Sequence, residues 1–107
     1  MKDATKSSEE YQKAIKISPQ YADAWFNLGL VYAETKSFTE CEKCFQRVIS
    51  IAPNYTYAYY ALGMTYEKLG NNENAILNYE KFLSLNKDTK SSQVIEAKIK
   101  SLKGTND

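Results

Sequence analysis

The sequence repeats itself with a period of 34 residues. In the first half of each period an aromatic residue, a leucine, a glycine and a tyrosine keep one spacing: Trp25, Leu28, Gly29 and Tyr32, then Tyr59, Leu62, Gly63 and Tyr66. In the second half, small and apolar residues correspond in the same way: Cys41, Phe45, Val48 and Ile49, then Ala75, Tyr79, Phe82 and Leu83. A fixed period of this length is typical of stacked supersecondary units, each of which buries its apolar face against its neighbours.

Each period is predicted to contain two helices. The apolar residues of each half recur at the three- and four-residue spacing of one helix face. Ser37 and Glu40 have the spacing of a capping box, which predicts that the second helix of the first period begins there. In the next period Gly70 predicts a helix end, and Asn71 or Asn72 predicts the cap of the helix that follows.

Two glycines in the middle of predicted helices indicate close packing. Glycine inside a helix is less favourable than alanine by about 1 kcal/mol, yet Gly29 and Gly63 occur at the same phase of the repeat. We therefore expect another helix to approach each glycine too closely for a side chain. The small residues Cys41 and Ala75 fit the same contact, and large aromatic residues would fill the space on either side.

The chain on both sides of the two full periods continues the same phase. Residues 5–21 correspond to the second half of a unit, and the helix predicted at 5–17 lacks a first helix. Residues 90–103 correspond to a first helix alone, which Ser91 or Ser92 is predicted to cap. Terminal repeats need a polar outer face, and this last helix is suited to end the stack in water.

Composition argues against several classes of protein. The chain has 107 residues and a net charge of +1, which does not build the basic surface that nucleic-acid binding requires. No run approaches the roughly 20 apolar residues that span a bilayer, and the first residues lack the apolar run of a signal peptide. We therefore expect a single domain over residues 1–107, a cytoplasmic location, and neither nucleic acid nor membrane as a partner.

The available side chains argue against catalysis. The sequence has no histidine, so the commonest general base is missing, and it has no phosphate-binding glycine loop or nucleophile elbow. Cys41 and Cys44 have the spacing of a redox or metal pair, but a structural zinc site needs four ligands. We expect a non-enzyme without metal or cofactor, in which Cys41 is a small buried residue and Cys44 lies on the helix surface.

The order Trp-x-x-Leu-Gly-x-x-Tyr, followed by a small residue, an aromatic residue and a proline, resembles the tetratricopeptide repeat family. In this resemblance residues 22–55 and 56–89 are full repeats, 5–21 is a half repeat, 90–103 is a capping helix and 104–107 is a tail. It implies an all-α, right-handed superhelix (solenoid) of stacked antiparallel helix pairs with about six helices. The positions implied to be structural are Trp25, Leu28, Gly29, Tyr32, Cys41, Phe45, Pro53, Tyr59, Leu62, Gly63, Tyr66, Ala75 and Tyr79.

The resemblance also implies a function in protein–protein interaction, because such repeats bind a peptide or a helix of a partner in a concave groove lined by first helices. Leu30 and Met64 stand where regular repeats prefer asparagine, so this groove is less polar than usual, and an exposed apolar strip often marks a contact surface. Neighbouring side chains or the C-terminal helix could instead cover the strip. The partner-binding positions implied are Phe26, Asn27, Leu30, Tyr57, Tyr60, Met64, Glu67 and Lys68, flanked by Asp23, Ala33, Glu34 and Ala61.

One specialised binding mode of the family is not expected here. Some members hold the C-terminal carboxylate of heat-shock chaperones with lysine, asparagine and arginine side chains on successive first helices. The corresponding places in this sequence hold Phe26, Leu30, Ala61, Ser91 and Ile95, and a shift by one repeat leaves only Asn27 in place. We therefore expect no tight binding of chaperone C-terminal peptides.

Two alternatives to the groove are compatible with the sequence. The helix at 5–17 lacks its natural partner, so Tyr11, Ala14 and Ile15 would be half covered, and a second copy of the chain could cover them in a homo-oligomer. The chain could also be a regulatory scaffold region of a longer multi-repeat protein. Light scattering tests the homo-oligomer, which requires that a dimer persists at micromolar concentration.

Overall fold

The computed structural model describes residues 4–104, and this part of the chain forms six α-helices and no strand. The helices are α1 Ala4–Ile17, α2 Ala22–Glu34, α3 Phe38–Ile51, α4 Thr56–Lys68, α5 Asn72–Leu85 and α6 Thr89–Lys103. They form an elongated stack of 47 × 25 × 24 Å. The expected all-α helical-repeat solenoid is therefore confirmed; the tail at 105–107 lies outside the described residues.

Each helix packs against the next one in the chain. The pairs α2–α3 and α4–α5 form the two complete units, while α1 packs on α2 and α6 packs on α5. The buried cluster runs through the second half of the stack and includes Tyr66, Tyr79, Phe82 and Ile95. In contrast, α1, which packs on α2, contains no buried residue.

Hydrogen bonds at equivalent positions explain how tyrosine replaces tryptophan in the second unit. The Trp25 indole N–H donates to the carbonyl oxygen of Pro19 over 2.9 Å. Thirty-four residues later, the Tyr59 hydroxyl donates to the carbonyl oxygen of Pro53 over 2.6 Å. Both side chains therefore fix the start of a first helix to the preceding loop, although their donor atoms differ.

The contact between units is also repeated. The Gln12 side-chain amide donates to the Tyr32 hydroxyl over 3.3 Å, and that of Gln46 donates to the Tyr66 hydroxyl over 2.9 Å. Each bond joins a second helix to the first helix of the next unit. Through Gln12, α1 therefore contacts α2 in the same way as α3 contacts α4 through Gln46.

The glycines make room for aromatic rings rather than for another helix backbone. A Cβ atom built on Gly29 would lie 2.5 Å from Phe45 Cε1, and one on Gly63 would lie 2.5 Å from Tyr79 Cδ1. The sequence-based expectation placed these rings beside the contact; the structure places them on the glycines. Both rings are almost completely buried, so they cannot move aside without opening the core.

The expected caps are partly present. Ser37 and Asn71 are the N-cap residues of α3 and α5, and the Asn71 side chain accepts a hydrogen bond from the Asn74 N–H over 3.2 Å. The predicted capping box at Ser37 does not form, because its hydroxyl is 3.1 Å from the Thr35 hydroxyl and makes no cap bond. The position of the second helix start was thus correct, and its bonding was wrong.

The cap predicted for α6 was also wrong. Asp88, not Ser91 or Ser92, is the N-cap residue, and its carboxylate accepts from the Lys90 N–H over 3.3 Å and from the Ser91 hydroxyl over 2.6 Å. A carboxylate interacts with the positive end of a helix more favourably than a hydroxyl does. These hydrogen bonds, that from Ser91 above all, hold the pKa of Asp88 below its ordinary value.

Both first helices end in the same backbone turn, but only one has the suitable residue. Lys36 has φ 59° and Gly70 has φ 79°, and the Ser37 and Asn71 N–H groups each donate over 2.8 Å to a tyrosine carbonyl. A lysine in this left-handed conformation is strained by about 1–2 kcal/mol, whereas glycine is not. The first unit therefore contains a local defect that the second unit lacks.

We expect Lys36→Gly to raise the free energy of unfolding by about 1 kcal/mol, because it removes this strain. The reverse change, Gly70→Lys, is the matched control and should lower stability by a similar amount. A Cβ at Gly70 meets nothing within 4 Å, so the stability lost in Gly70→Lys would come from the strained backbone conformation alone. Urea unfolding monitored by circular dichroism measures both; a less stable Lys36→Gly variant would contradict the strain.

Candidate functional site

Two cavities open beside α4, which lies in the middle of the row of first helices. The first cavity, of about 370 Å³, lies between α2 and α4 and is closed at one end by the start of α3. Its walls are mostly apolar, and three charged residues contribute to them. The lining residues are Leu30, Ala33, Glu34, Lys36, Phe38, Phe45, Ala61, Met64, Thr65 and Lys68.

The second cavity lies on the other side of α4, against α6, and has a volume of about 230 Å³. Its lining residues are Tyr57, Tyr60, Phe82, Ser91, Val94 and Ile95. Because α6 contributes half of this wall, the C-terminal helix extends the row of first helices. It does not line the first cavity. We refer to the surface of α2, α4 and α6 that carries both cavities as the groove.

Apolar side chains at the cavity mouths are open to solvent. Leu30 is 43% exposed and Met64 37% at the first cavity, and Tyr57 is 62% and Val94 66% at the second. Burying such side chains is worth about 25 cal/mol for each Å² removed from water. This surface can therefore contribute to binding without any rearrangement of the helices that hold it.

The apolar strip predicted along the groove is interrupted by aromatic packing. Phe26 lies with its ring centroid 5.5 Å from that of Phe45 and 5.1 Å from that of Tyr55, a loop residue. Tyr55 is held there because its hydroxyl donates to the Asp23 carboxylate over 2.6 Å. Phe26 is consequently half-buried, and Asn27 beside it is half-buried as well.

The remaining positions predicted in the groove differ in how far they already contact other residues of the chain. Tyr60 is half-buried, with its ring centroid 5.6 Å from that of Phe82. Glu67 accepts a hydrogen bond from the buried Tyr79 hydroxyl and lies 3.2 Å from Lys98 Nζ of α6. Lys68, in contrast, is exposed at the mouth of the first cavity.

Several residues of the cavities were not predicted from the sequence. Phe38 and Thr65 line the first cavity and Val94 lines the second. Phe38 precedes Phe45 by seven residues, which places both on one face of α3, and this spacing could have identified it. Thr65 gave no such signal, because it is polar; its hydroxyl donates to the Ala61 carbonyl within α4 over 2.8 Å.

The positions predicted to be structural lie in or against the core, with one exception. Trp25 and Tyr32 are only half-buried, unlike their equivalents Tyr59 and Tyr66. Pro53 is exposed, and it contributes its carbonyl oxygen as the acceptor for Tyr59. The buried members of the set are Leu28, Gly29, Cys41, Phe45, Tyr59, Leu62, Gly63, Tyr66, Ala75 and Tyr79.

The prediction for Cys44 was wrong, because it is buried and not on the helix surface. It is 3% exposed and faces a cavity of about 590 Å³ together with Ile15 of α1 and Leu28 of α2. Burial raises the pKa of Cys44 to about 12 and that of Cys41 to about 11. Both side chains are therefore neutral thiols at pH 7, and no group of metal-ligating residues is found within residues 4–104.

These thiols make stability sensitive to alkaline pH. Their pKa values in the folded chain are raised above the ordinary value of about 9, so the stabilisation is complete below pH 9 and is lost as pH rises through 11 to 12. We expect the free energy of unfolding, measured by urea titration, to fall between pH 9 and pH 12. The double variant Cys41→Ala, Cys44→Ala should show a shallower fall; an unchanged slope would contradict the thiol contribution.

The six stacked helices of residues 4–104 and their repeated glycine–aromatic contacts define a helical-repeat protein. Family profiles agree: one described as TPR repeat matches residues 3–36, and two described as tetratricopeptide repeat match residues 22–55 and 56–89. The chain belongs to the tetratricopeptide repeat family, whose fold is a protein-interaction scaffold. No sequence among curated proteins matches the chain significantly.

Solved structures with the same fold cover most of the chain. The Arabidopsis OM64 TPR domain is 22% identical with a TM-score of 0.84, covering 92% of this chain and 81% of that domain. A MamA structure is 25% identical with a TM-score of 0.84; the match covers 94% of this chain and 55% of MamA. The first TPR of Spaghetti (RPAP3), bound to an HSP90 peptide, is 20% identical with a TM-score of 0.83. The match covers 94% of this chain and 80% of that domain.

Within residues 4–104, no helix combines the length and the apolar character needed to cross a bilayer.

Proposed function

We propose that the chain binds a segment of a partner protein, either an extended peptide or a helix, in the groove formed by α2, α4 and α6. One observation carries the proposal: Leu30, Met64 and Tyr57 stay exposed at cavity mouths although the helices beneath them are packed. Exposed apolar surface lined with cavities is typical of contact sites for other proteins.

The arrangement of the two cavities limits what can fill both. Tyr57 and Met64 are seven residues apart on α4, which corresponds to a separation of about 10 Å along the helix axis. An extended segment spans this distance with about three residues, and a helix spans it with about two turns. A partner segment with two apolar anchors at that separation would cross α4 and occupy both cavities.

Rigid support favours binding at this surface. Tyr60 packs on Tyr79 and Phe82, and the hydrogen bond from Tyr79 to Glu67 joins α4 to α5. A groove held by such contacts does not have to be ordered when the partner arrives, which lowers the entropic cost of association.

The HSP90 peptide bound by the Spaghetti repeat domain is not the ligand that we propose. At the positions where a carboxylate clamp would need cationic or amide side chains, this chain has Phe26, Leu30, Ala61, Ser91 and Ile95. None of the five side chains carries a positive charge, so a terminal carboxylate held at these five positions would lose its hydration without an ionic partner there.

A selection of peptides from a displayed random library tests the proposal. The baits are the natural chain, a groove variant with Leu30→Ser and Met64→Ser, and a control variant with Leu69→Ser and Leu77→Ser. Leu69 and Leu77 are 41% and 61% exposed and line neither cavity, so the control changes a comparable amount of exposed apolar surface elsewhere. We expect enriched peptides to bind the natural chain and the control variant, and to lose at least tenfold in affinity for the groove variant, about 1.4 kcal/mol.

Equal melting temperatures of the three baits establish that folding is unchanged. Peptides that bind the groove variant as well as the natural chain would contradict the proposed site, and so would a selection without any enriched peptide.

Self-association through α1 is a second candidate, favoured by a difference in burial. Phe45 and Val48 of α3 are 1% and 0% exposed, whereas their equivalents in α1, Tyr11 and Ala14, are only half-buried. A second copy of the chain would cover this face. Sedimentation velocity distinguishes the candidates: a dimer at micromolar concentration that Tyr11→Ser dissociates supports self-association, and a monomer excludes it.

A further inference from the structure

The mouth of the first cavity carries charged side chains without partners inside the described chain. Lys36, Lys68 and Glu34 line the cavity and are exposed. The ion pairs within residues 4–104 are Lys43–Glu40, Lys98–Glu67 and Lys103–Glu80, and they include none of these three residues. Two lysines and one glutamate leave the mouth with a net positive charge of one.

The other acidic residues of the groove, Asp23 and Glu67, do not line the first cavity. The Asp23 carboxylate accepts the Tyr55 hydroxyl, and the Glu67 carboxylate accepts the Tyr79 hydroxyl and pairs with Lys98. Within residues 4–104, Lys36 and Lys68 are therefore unpaired at the first cavity, while the carboxylates of Asp23 and Glu67 already accept hydrogen bonds.

The inside of the same cavity is apolar and firmly supported. Phe45 is 1% exposed and is held against Gly29, and Phe38 begins the helix that closes the cavity. A volume of about 370 Å³ accommodates one bulky aliphatic or aromatic side chain together with part of the segment that carries it. An apolar anchor and a neighbouring negative charge are thus both complementary to this site.

We propose that the first cavity takes a bulky apolar side chain from an acidic segment of a partner protein, whose carboxylates lie against Lys36 and Lys68. The inference rests on the proposed function of the groove and specifies the chemistry of its ligand. Recognition uses side-chain carboxylates, so it does not need the free C-terminus of the partner. The two lysines disfavour basic segments, because like charges repel.

Three synthetic peptides test the charge preference by fluorescence anisotropy. Each carries a central Leu-Phe pair and is blocked at both ends, and the pair is flanked on each side by two aspartates, two asparagines or two lysines. We expect the aspartate peptide to bind about tenfold more tightly than the asparagine peptide, and the lysine peptide to bind most weakly. Raising the ionic strength should reduce the difference, because salt screens exposed charges.

Variants of the intact chain identify the residues responsible. Lys36→Gln and Lys68→Gln should each lower the affinity for the aspartate peptide by about two- to fivefold, whereas Glu34→Gln should raise it. Lys87→Gln is the matched control, because Lys87 is exposed and lines neither cavity, and it should leave affinity unchanged. The substituted side chains are all exposed, so folding is preserved.

The outcomes separate this inference from the proposed function. Equal affinity for the three peptides, or aspartate binding that survives both lysine substitutions, overturns the charge preference. If none of the three peptides binds while the library selection yields peptides that depend on Leu30 and Met64, the preference fails and the groove stands. If the selection also yields nothing, the proposed function fails with it.

Discussion

Tyr66→Ala is expected to lower the free energy of unfolding by about 3–5 kcal/mol, the usual range for truncation of a large aromatic residue in a core. Tyr66 lies on α4, is 7% exposed and belongs to the buried cluster of the core. Its hydroxyl accepts a hydrogen bond from Gln46 of the preceding unit. The substitution leaves a cavity and removes the bond between units at the same time. Thermal and urea unfolding of the variant measure the loss.

Tyr32→Ala is the matched control for this prediction. Tyr32 occupies the equivalent position one unit earlier and makes the equivalent bond with Gln12, but it is only half-buried. Truncation there should be clearly less destabilising, because less apolar area leaves the interior. Equal losses for the two variants, or an unchanged melting temperature for Tyr66→Ala, would contradict the assigned difference in burial.

Gly63→Ala is the second change with a large expected effect, and its sign is opposite to that of an ordinary helix substitution. Alanine in place of glycine in an exposed helix stabilises by about 1 kcal/mol. Here the added methyl group would overlap the buried ring of Tyr79, and overpacking of this kind costs about 1–3 kcal/mol. The close overlap puts the cost in the upper part of this range, so we expect a net loss of up to about 2 kcal/mol in the free energy of unfolding.

A double-mutant cycle with Tyr79→Leu identifies the cause of that loss. Tyr79→Leu alone should destabilise, because it removes a fully buried ring and the hydrogen bond to Glu67. In its presence, however, Gly63→Ala should become neutral or stabilising, since the ring that it meets is gone. Additive effects of the two substitutions would show that the ring and the glycine do not interact.

The arrangement of helices could be predicted from the period because the apolar residues recur at every turn. Helix α1 extends over Ala4–Ile17, where a helix at 5–17 was expected, and the helix end at Gly70 was identified by its residue type. The cap of α6 could not be identified in this way. The first helices of the two full units begin after tyrosines, Tyr21 and Tyr55, so the period does not indicate a cap at Asp88. Three residues of similar capping propensity, Asp88, Ser91 and Ser92, also compete within five positions.

The groove residues could be predicted from the sequence only in part. The family resemblance implied Leu30 and Met64 as groove positions, and they do line one cavity. The partial burial of Phe26 could not be foreseen, because it depends on Tyr55 folding back from a loop onto α2. Cys44 was misplaced although its position carries a signal: it follows Cys41 by three residues and precedes Val48 by four, which places it on the buried face of α3.

These contacts also decide which substitutions probe the groove cleanly. Phe26 and Tyr60 belong to aromatic clusters with Phe45 and Phe82, so their truncation would disturb the core as well as the surface. Leu30 and Met64 are more exposed and make no such ring contacts, and their replacement changes the first cavity alone.

The most direct test of the groove as the working surface is affinity capture from a lysate of the source organism, quantified by mass spectrometry. The baits are the natural chain, the groove variant and the control variant. We expect at least one protein to be recovered with the natural chain and the control variant and to be lost with the groove variant; a binding study with that purified protein then identifies it as the partner. Recovery of the same proteins with all three baits would contradict the account.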